Sequence, residues 1–452
     1  MKIPLKPPSF QNQLLKAVKN PETIIRLSNN LNPLWNNRYI HWDKLQHLSP
    51  PNGLTHEEWW LATKLARGGL LREIPLRDVK GTPFKYALPD PALEYLHSID
   101  QDAGGLIQLN DKDTINPNVQ ERYLVHSLFE EAITSSQLEG AATTRKVARE
   151  MLRTQRAAKT KSEQMILNNY TTMCMLKEKA KEDLSITMIL ELHKHLADKT
   201  LDDADAAGRF RKDDEDIRVF DNMALGETIL HTPPPSNELE FRIQALCDFA
   251  NGKTPSGYMH PVIRAILLHF WLAYDHPFVD GNGRCARALF YWAMLKHGYW
   301  LCEHVSISRI LCKAPSQYAR SFLYTETDDN DCTYFLLYNL QVLSRAIQEL
   351  HSYIAKSTVD LHSIEKLLRA THENFNYRQL DIIQHALRHN DDIYTIKGHK
   401  TTHKIAYETA RRDFLGLVAS GLFEQKLRGK EIVFLPSEDI QNQIQYGSKK
   451  QK

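Results

Sequence analysis

The 452-residue sequence predicts a mainly α-helical fold with one short β-hairpin inside the helical part and a second near the C-terminus. From about residue 120, apolar side chains recur at spacings of three to five along several long segments, as one face of a helix requires. A single interruption, GRFRKDDEDIRVFDNMALGETILHTPPPSNELE, carries β-branched residues and Gly226, which indicate a hairpin or irregular flap. The pattern changes again in the last ninety or so residues, where short helical segments precede a second hairpin.

The composition is that of a soluble globular chain, with 42% hydrophobic and 25% charged residues. The net charge of +2 is too small for a strong non-specific attraction to nucleic acid or membrane. No run of about 18 apolar residues is present, and the start MKIPLKPPSFQNQLL lacks the apolar core of a signal peptide. The six cysteines form no C-x-x-C pair, so they favour neither a zinc site nor a disulfide framework. We therefore expect a cytoplasmic protein without a membrane partner.

Residues 1–118 are predicted to form an N-terminal cap. Their first fifty or so residues are rich in Pro and Asn, and should wrap over another part of the protein. Trp42, Trp59 and Trp60 then indicate a small helical layer anchored by aromatic rings. Residues 119–355 are predicted to form a helical domain, in which GYMHPVIRAILLHFWLAYDHPF is apolar enough to be a buried central helix. The segment RCARALFYWAMLKHG predicts the next helix, which ends at Gly298.

Residues 360–445 predict a winged helix-turn-helix. FNYRQLDIIQHALRH indicates a helix, TIKGHKTTHKIAYETARRDFLGLVASGLF a turn and a helix that ends at Gly421, and EQKLRGKEIVFLP two strands around Arg428–Gly429. A recognition helix is expected from about Thr402 to Ser420. The residues of this helix that could contact DNA are Lys404, Tyr407, Thr409, Arg411 and Arg412.

The same winged helix could instead dock a protein or a second copy of the chain. Glu408 and Asp413 lie on the candidate recognition helix and weaken the case for DNA. DNA, a protein partner and a homodimer therefore all stay open as partners of this region.

The segment His276–Arg287, HPFVDGNGRCAR, concentrates several kinds of chemistry in twelve residues. Gly281 and Gly283 allow the chain to turn between two helices and bring bare backbone close to a ligand. The helix that follows offers unpaired N–H groups, which form an anion site strengthened by the helix dipole. Arg284 and Arg287 are three residues apart, so both project from the first turn, and guanidinium groups suit phosphate oxygens. The pattern predicts a ligand with several phosphates.

Two further side chains extend this prediction. Asp280 places a carboxylate beside the anion site, where a carboxylate next to phosphates typically holds Mg²⁺. His276 follows a predicted helix, and a histidine with a pKa of about 6.5 can act as a general base at neutral pH. Each feature alone is typical of an ordinary loop, helix cap or solvated face, but their combination predicts phosphoryl or nucleotidyl transfer. GNGRCAR lacks the spacing and the lysine of a P-loop.

HPFVDGNGRCAR resembles the Fic motif, HPFx(D/E)GNGRxxR, at every specified position. The resemblance covers roughly residues 120 to 345, and the flanking regions are similar to the Fic subgroup with an N-terminal helical cap and a C-terminal winged helix. The resemblance implies an enzyme that transfers AMP from ATP to a Ser, Thr or Tyr hydroxyl of a target protein, or of itself, and releases pyrophosphate.

The resemblance also implies residue roles. His276 would deprotonate the incoming hydroxyl for in-line attack on the α-phosphorus. Asp280 would hold Mg²⁺ across the α- and β-phosphates. Asn282 would contact the α-phosphate, and backbone N–H groups around Gly281 and Gly283 would line the anion site.

Further implied roles lie at the edges of the site. Arg284 and Arg287 would hold the outer phosphates, and Phe278 would be a buried anchor. Tyr318 would border the adenine pocket. The flap at Ile217–Thr232 would pair with the backbone of the target by strand addition.

The stretch SSQLEG, Ser135–Gly140, is similar to the family's inhibitory pattern, (S/T)xxxE(G/N), so Ser135, Glu139 and Gly140 would form an inhibitory segment. Glu139 would pair with Arg287 in place of the γ-phosphate, and ATP would then bind in a pose unfit for attack. Because the segment precedes the catalytic motif in the same chain, inhibition would act in cis. The same glutamate could instead orient water for the removal of AMP.

A second class of function stays open, a winged-helix transcription regulator whose Fic part senses nucleotide. The intact motif favours the transferase, because a sensor would not need His276. A kinase-like relative would carry a larger residue in place of Gly283, so Gly283 favours transfer of AMP. Transfer of another phosphate-linked group also stays open.

Overall fold

The computed structural model describes residues 3–51, 53–103, 117–221, 228–369, 375–388, 392–403, 405–428 and 431–440. Over these residues the chain is mainly helical with small antiparallel sheets, which confirms the predicted fold class. Among the same residues, none of the helices combines the length and the apolar character needed to cross a bilayer.

The described part of the N-terminal region contains five helices and one hairpin. They are α1 (Phe10–Val18), α2 (Pro21–Ser28), α3 (Trp42–Leu45), α4 (His56–Gly68), β1 (Arg72–Arg77), β2 (Pro83–Tyr86) and α5 (Asp90–Ala103). Trp59 and Trp60 are buried in a cluster that Trp42 packs against, as predicted. Helix α4 also carries Lys64, whose ammonium lies 2.8 Å from the buried carboxylate of Asp328. This ion pair attaches the region to the helices that follow.

The central helices surround one large apolar core. They are α6 (Pro117–Leu138), α7 (Arg145–Thr154), α8 (Lys161–Lys179), α9 (Ile186–Ala197), α10 (Leu239–Ala250), α11 (Pro261–Asp275), α12 (Asn282–Lys296), α13 (Ile307–Lys313), α14 (Pro315–Thr327) and α15 (Thr333–Arg369). Helix α11 is buried at all positions except Pro261 and Ala273, as its composition predicts. It packs against α12, which is followed by Gly298 with a φ of 83°. The HPFVDGNGRCAR motif spans the loop between α11 and α12 and the first turns of α12.

The predicted flap contains two short strands, β3 (Val219–Phe220) and β4 (Ile229–His231), which pair antiparallel. Gly226, which the sequence places at its centre, lies outside the described residues. The helix expected near Ser236 begins with a 3₁₀ turn there and becomes α10 at Leu239.

The C-terminal unit, residues 375–440, has its own apolar core. It consists of α16 (Tyr377–Arg388), β5 (Tyr394–Thr395), α17 (Ile396–His403), α18 (Tyr407–Ala419), β6 (Phe423–Arg428) and β7 (Glu431–Pro436). The three strands form an antiparallel sheet in the order β5-β7-β6. Helix α15 continues to Arg369 and so runs through residues 355–360, where the sequence predicts the boundary between the two domains.

The candidate recognition helix is shorter than predicted. It begins at Tyr407 rather than near Thr402, because Thr402 belongs to the separate helix α17, where the His403 ring pairs with Asp381 at 3.2 Å. Asp413 is not on the exposed surface of this helix, since its carboxylate is buried and pairs with Arg378 at 2.6 Å. Lys404 and Gly429 lie outside the described residues.

Candidate active site

The loop between α11 and α12 is held by its own side chains. His276 ends α11 in a left-handed conformation, with a φ of 46°, and Gly281 precedes α12 with a φ of 85°. The buried Asn282 amide accepts a hydrogen bond from the Phe278 N–H at 2.9 Å and donates to the Phe278 carbonyl at 2.8 Å. The amide therefore braces the loop with one of its N–H groups and its oxygen. Its second N–H is not used by these two bonds, so the predicted contact with the α-phosphate stays a prediction.

His276 is half-buried with its ring turned back toward α11. Its Nδ1 lies 3.3 Å from the Ala273 carbonyl, an acceptor, so Nδ1 carries the proton and Nε2 is left as the basic nitrogen. Burial lowers the pKa of His276 to about 4, so the ring is neutral at physiological pH. The geometry and the protonation state both suit a general base.

Arg211, which no sequence pattern indicates, joins the flap to this loop. Its Nε donates to the His276 carbonyl at 2.8 Å, and its backbone N–H donates to the Pro277 carbonyl at 2.8 Å. The same guanidinium donates to the carbonyl of Pro234, at the foot of the flap. The arginines of the GRFRK stretch gave no local signal for this contact, because the partners lie far along the chain.

His193 is a second residue of the site that no sequence pattern indicates. Its ring stacks on Phe278 with centroids 3.8 Å apart, and its Nε2 lies 3.0 Å from the Asp280 carbonyl. Because Nδ1 accepts from the Gly208 N–H, Nε2 must donate, which defines a neutral tautomer. Burial lowers the pKa of His193 to about 4 and keeps it neutral. The predicted buried anchor Phe278 thus has a specific partner from α9.

The two arginines of the motif are buried rather than solvated. Arg284 donates to the Leu196 carbonyl at 3.0 Å, and its Nη2 lies 3.4 Å from the Asp280 carboxylate. The Nε of Arg284 has no hydrogen-bond partner among the residues that the structure describes. The Asp280 carboxylate is 49% exposed and accepts from the Gly281 N–H at 2.6 Å. A charged, partly unpaired side chain at the start of α12 is suited to a polyanion.

Arg287 is tied to the predicted inhibitory segment at the end of α6. Its Nη2 lies 2.8 Å from the Glu139 carboxylate, and its Nε donates to the Ser135 hydroxyl at 2.8 Å. Burial raises the pKa of Glu139, but the charges of Arg287 and Arg284 hold it below its ordinary value. The carboxylate is therefore ionised at neutral pH and neutralises Arg287.

Gly140 and Gly283 make this contact sterically feasible. Gly140 has a φ of 91° and ends α6 just after Glu139, a conformation that residues with a side chain rarely adopt. A Cβ built on Gly283 would lie 2.1 Å from the Glu139 carboxylate. The glutamate therefore sits against bare backbone at the first turn of α12, where the sequence predicts phosphate binding.

Tyr318 and His231 border the site on other sides. The Tyr318 hydroxyl is 2.7 Å from Nε2 of His269, whose pKa burial lowers to about 3. His231, at the end of flap strand β4, places Nε2 2.7 Å from the Tyr274 carbonyl and Nδ1 2.9 Å from the Glu326 carboxylate. The flap is thus connected to the last turn of α11, next to His276.

Comparison with known proteins agrees with the motif. Residues 183–294 match the model of the Fic/DOC family, a segment that contains His276 but not Glu139. A protein adenylyltransferase Fic from Nematostella vectensis is 29% identical over 189 residues, 40% of this chain and 40% of that protein. Another from Drosophila willistoni is 31% identical over 176 residues, 38% of this chain and 32% of that protein. The chain thus spans less than half the length of these relatives.

A solved structure of a Fic family protein from Desulfovibrio desulfuricans is also similar. It has 16% sequence identity and a TM-score of 0.47, over 77% of this chain and 96% of that chain.

Proposed function

We propose that the chain is a protein adenylyltransferase that transfers AMP from ATP to a hydroxyl side chain of a target protein, and that Glu139 inhibits it in cis. The match of residues 183–294 to the Fic/DOC family supports this proposal. The observation that carries the proposal is the pair between the buried Arg287 and the half-buried Glu139 at 2.8 Å, on the same helix end that the His276 loop leads into. One helix start thus combines a base, an anion site and a carboxylate that fills it.

His276 performs the proton transfer in this proposal. Its Nε2 takes the proton of the acceptor hydroxyl as the oxygen attacks the α-phosphorus of ATP. The new O–P bond forms while the bond from the α-phosphorus to the bridging oxygen breaks, and pyrophosphate leaves. Arg211 holds the His276 carbonyl and thereby keeps the ring directed at the reacting hydroxyl.

The start of α12 binds the phosphates. Its first N–H groups point out of the helix, and the helix dipole adds partial positive charge. Gly283 leaves the backbone uncovered, and the buried guanidinium groups of Arg284 and Arg287 supply positive charge from within. Their attraction to phosphate is strong because little water competes with it.

Magnesium fits this site as an ion that arrives with the nucleotide. Asp280 offers one half-exposed carboxylate, and the described part of the chain contains no group of three or more His, Cys, Asp or Glu side chains placed to hold a metal. Phosphate oxygens and water must complete its coordination. When bound, Mg²⁺ would offset the negative charge of the phosphates.

Glu139 opposes this binding because its carboxylate and a terminal phosphate compete for Arg287. The two anions cannot share one guanidinium and one uncovered helix end without strong repulsion in a buried site. ATP would therefore bind without its terminal phosphate on Arg287, in a pose that does not line up for attack. The alternative role, in which Glu139 orients water to remove AMP, uses the same position.

A DNA-binding function of the C-terminal unit is less well supported by its charges. Arg411 and Arg412 on α18 are exposed, but Glu408 lies 3.3 Å from Arg411 and 3.8 Å from Arg412. One carboxylate thus reduces the charge of both candidate phosphate contacts. We therefore propose protein partners, rather than DNA, for this unit.

The test uses Glu139→Gly protein and ATP labelled at either the α- or the γ-phosphate, with cell extract as the source of targets. We expect protein to gain the α-label and not the γ-label, and Glu139→Gly to incorporate more than the parent chain. The double variant Glu139→Gly, His276→Ala should incorporate none. Transfer of the γ-label would make the chain a kinase, and no transfer of either label would overturn the proposal.

A further inference from the structure

The C-terminal unit packs against α7, the helix that directly follows the inhibitory segment. Arg153, in the last turn of α7, donates to the Asp392 carboxylate at 3.1 Å and to the Ile393 carbonyl. Its guanidinium lies over the Tyr394 ring at 5.0 Å. One α7 side chain thus makes an ion pair, a backbone hydrogen bond and a cation–π contact with the C-terminal unit.

Gly398 in α17 lets the backbone of the C-terminal unit come close to the backbone at the end of α7. A Cβ built there would lie 2.7 Å from the Arg153 backbone oxygen. Close by, Gln155 donates to the Thr401 hydroxyl at 2.7 Å. The Arg428–Glu150 ion pair at 3.5 Å is exposed on both sides and contributes little. The specific feature is therefore backbone contact between α17 and the end of α7, which a methyl group would prevent.

Helix α7 is in turn joined to α6, the helix that carries Glu139. The buried Glu130 carboxylate of α6 accepts hydrogen bonds from Arg145 and from Arg149, the latter at 2.9 Å. Met151 and Leu152 of α7 pack in one cluster with apolar residues of α6. Only residues 141–144 separate Gly140 from α7. A displacement of α7 is therefore passed directly to the turn that presents Glu139.

The body of α6 has a separate anchor. The buried Glu131 carboxylate accepts from the Tyr291 hydroxyl at 2.9 Å and from the Ser308 N–H at 3.1 Å, at the start of α13. This anchor lies two turns before Glu139 and does not involve α7. Because Glu131 is adjacent to Glu130, the part of α6 that contacts α7 is also held by α12 and α13. Movement of α7 would therefore reach Glu139 through the short connection at residues 141–144, while the body of α6 stays attached to the core.

We propose that the C-terminal unit is a latch that holds α7, and with it Glu139, in the inhibited position. A protein partner that draws the unit away from α7 would free Glu139 from Arg287 and so raise AMP transfer. The inference rests on the proposed function for its activity readout. By linkage, displacement of Glu139 by nucleotide should also weaken the contact between α7 and α17.

The test introduces a methyl group at the contact. Gly398→Ala in the full chain should raise incorporation of α-label about fivefold or more, up to the level of Glu139→Gly. Gly68→Ala is the matched control, because a Cβ at this helical glycine meets nothing within 4 Å, and it should stay at the parental level. If Glu139→Gly incorporates no label, the proposed function fails. If Glu139→Gly is active and Gly398→Ala is not raised, the latch is wrong.

Hydrogen exchange gives a second readout that needs no activity. Gly398→Ala should speed amide exchange in α17 and also in residues 135–154, while α11 and α12 stay at the parental rates. The same result from Arg153→Ala, which removes the ion pair without adding bulk, would support the latch independently. Faster exchange confined to the C-terminal unit in both variants would overturn it.

Discussion

The carboxylate of Glu139 rests on Gly283: a Cβ at that glycine would lie only 2.1 Å from Oε1 of the glutamate. Arg287 holds the carboxylate there at 2.8 Å. An acidic side chain thus occupies the uncovered first turn of a helix that also carries two buried arginines. Because of this contact, substitution of Gly283 tests what the first turn of α12 binds.

Gly283→Ala should remove the Glu139 contact without producing an active enzyme. The added methyl group displaces the glutamate, but it also covers the backbone that would meet the phosphates. We expect ATP to bind more weakly than to the parent, and Glu139→Gly, Gly283→Ala to transfer far less AMP than Glu139→Gly. Calorimetric titration with ATP and α-label incorporation measure the two effects. Activity equal to that of Glu139→Gly would show that phosphates do not approach Gly283.

The pH dependence of the transfer should report the environment of His276. Burial lowers its pKa to about 4, whereas the ordinary pKa of histidine is about 6.5. The His276 ring of the free enzyme therefore stays neutral at pH values well below 6.5. We expect kcat/KM for ATP of the Glu139→Gly protein to fall only as the pH drops toward 4. An acid limb near pH 6.5, measured after checking that the protein stays folded, would contradict the buried position of the ring.

Arg211→Lys should lower the rate without weakening ATP binding. Lysine keeps the charge but cannot donate in the fixed directions that reach both the His276 and Pro234 carbonyls. Misplacement of the base should reduce kcat about 10²-fold in the Glu139→Gly background. Arg209→Lys is the control, because Arg209 lies two residues away and pairs with Glu215 at 2.6 Å. An unchanged kcat would show that Arg211 does not position the base.

His231 should make the stability of the protein depend on pH. Both of its ring nitrogens face acceptors, Glu326 and the Tyr274 carbonyl. Burial lowers its pKa, but these contacts raise it above the ordinary value overall. The stabilisation is therefore complete below about pH 6.5, the unfolded value, and is lost as the pH rises through the folded pKa.

The measurement compares urea unfolding of the parent and His231→Gln across this range. A hydrogen bond to a charged group contributes about 1.5–3 kcal/mol, which sets the expected decline of the parent's free energy of unfolding. Glutamine does not titrate, so the free energy of unfolding of His231→Gln should not show this part of the decline with pH. Identical pH profiles for the two proteins would mean that the ring is neutral throughout.

Much of the fold and of the active loop could be predicted because the relevant interactions are local. The apolar spacing of α11 and the left-handed Gly281 depend on neighbours within a few residues. The hydrogen bonds of Asn282 to the Phe278 backbone, four residues earlier, are also local, but the motif by itself does not indicate that this side chain braces the loop. The candidate recognition helix begins later than the sequence predicts, because a separate helix, α17, ends at His403 and α18 begins at Tyr407.

By itself, the sequence determined that a histidine, a carboxylate and two arginines lie close together, in one turn between two helices and at the start of the second helix, since covalent connection and helical spacing place neighbours together. Only the tertiary structure decided which distant groups complete that turn. His193 reaches Phe278 from α9, Arg211 reaches His276 from the flap, and Glu139 reaches Gly283 from α6. Such contacts arise when separate helices bury a common core, and the spacing of residues along the chain carries no record of which faces will meet.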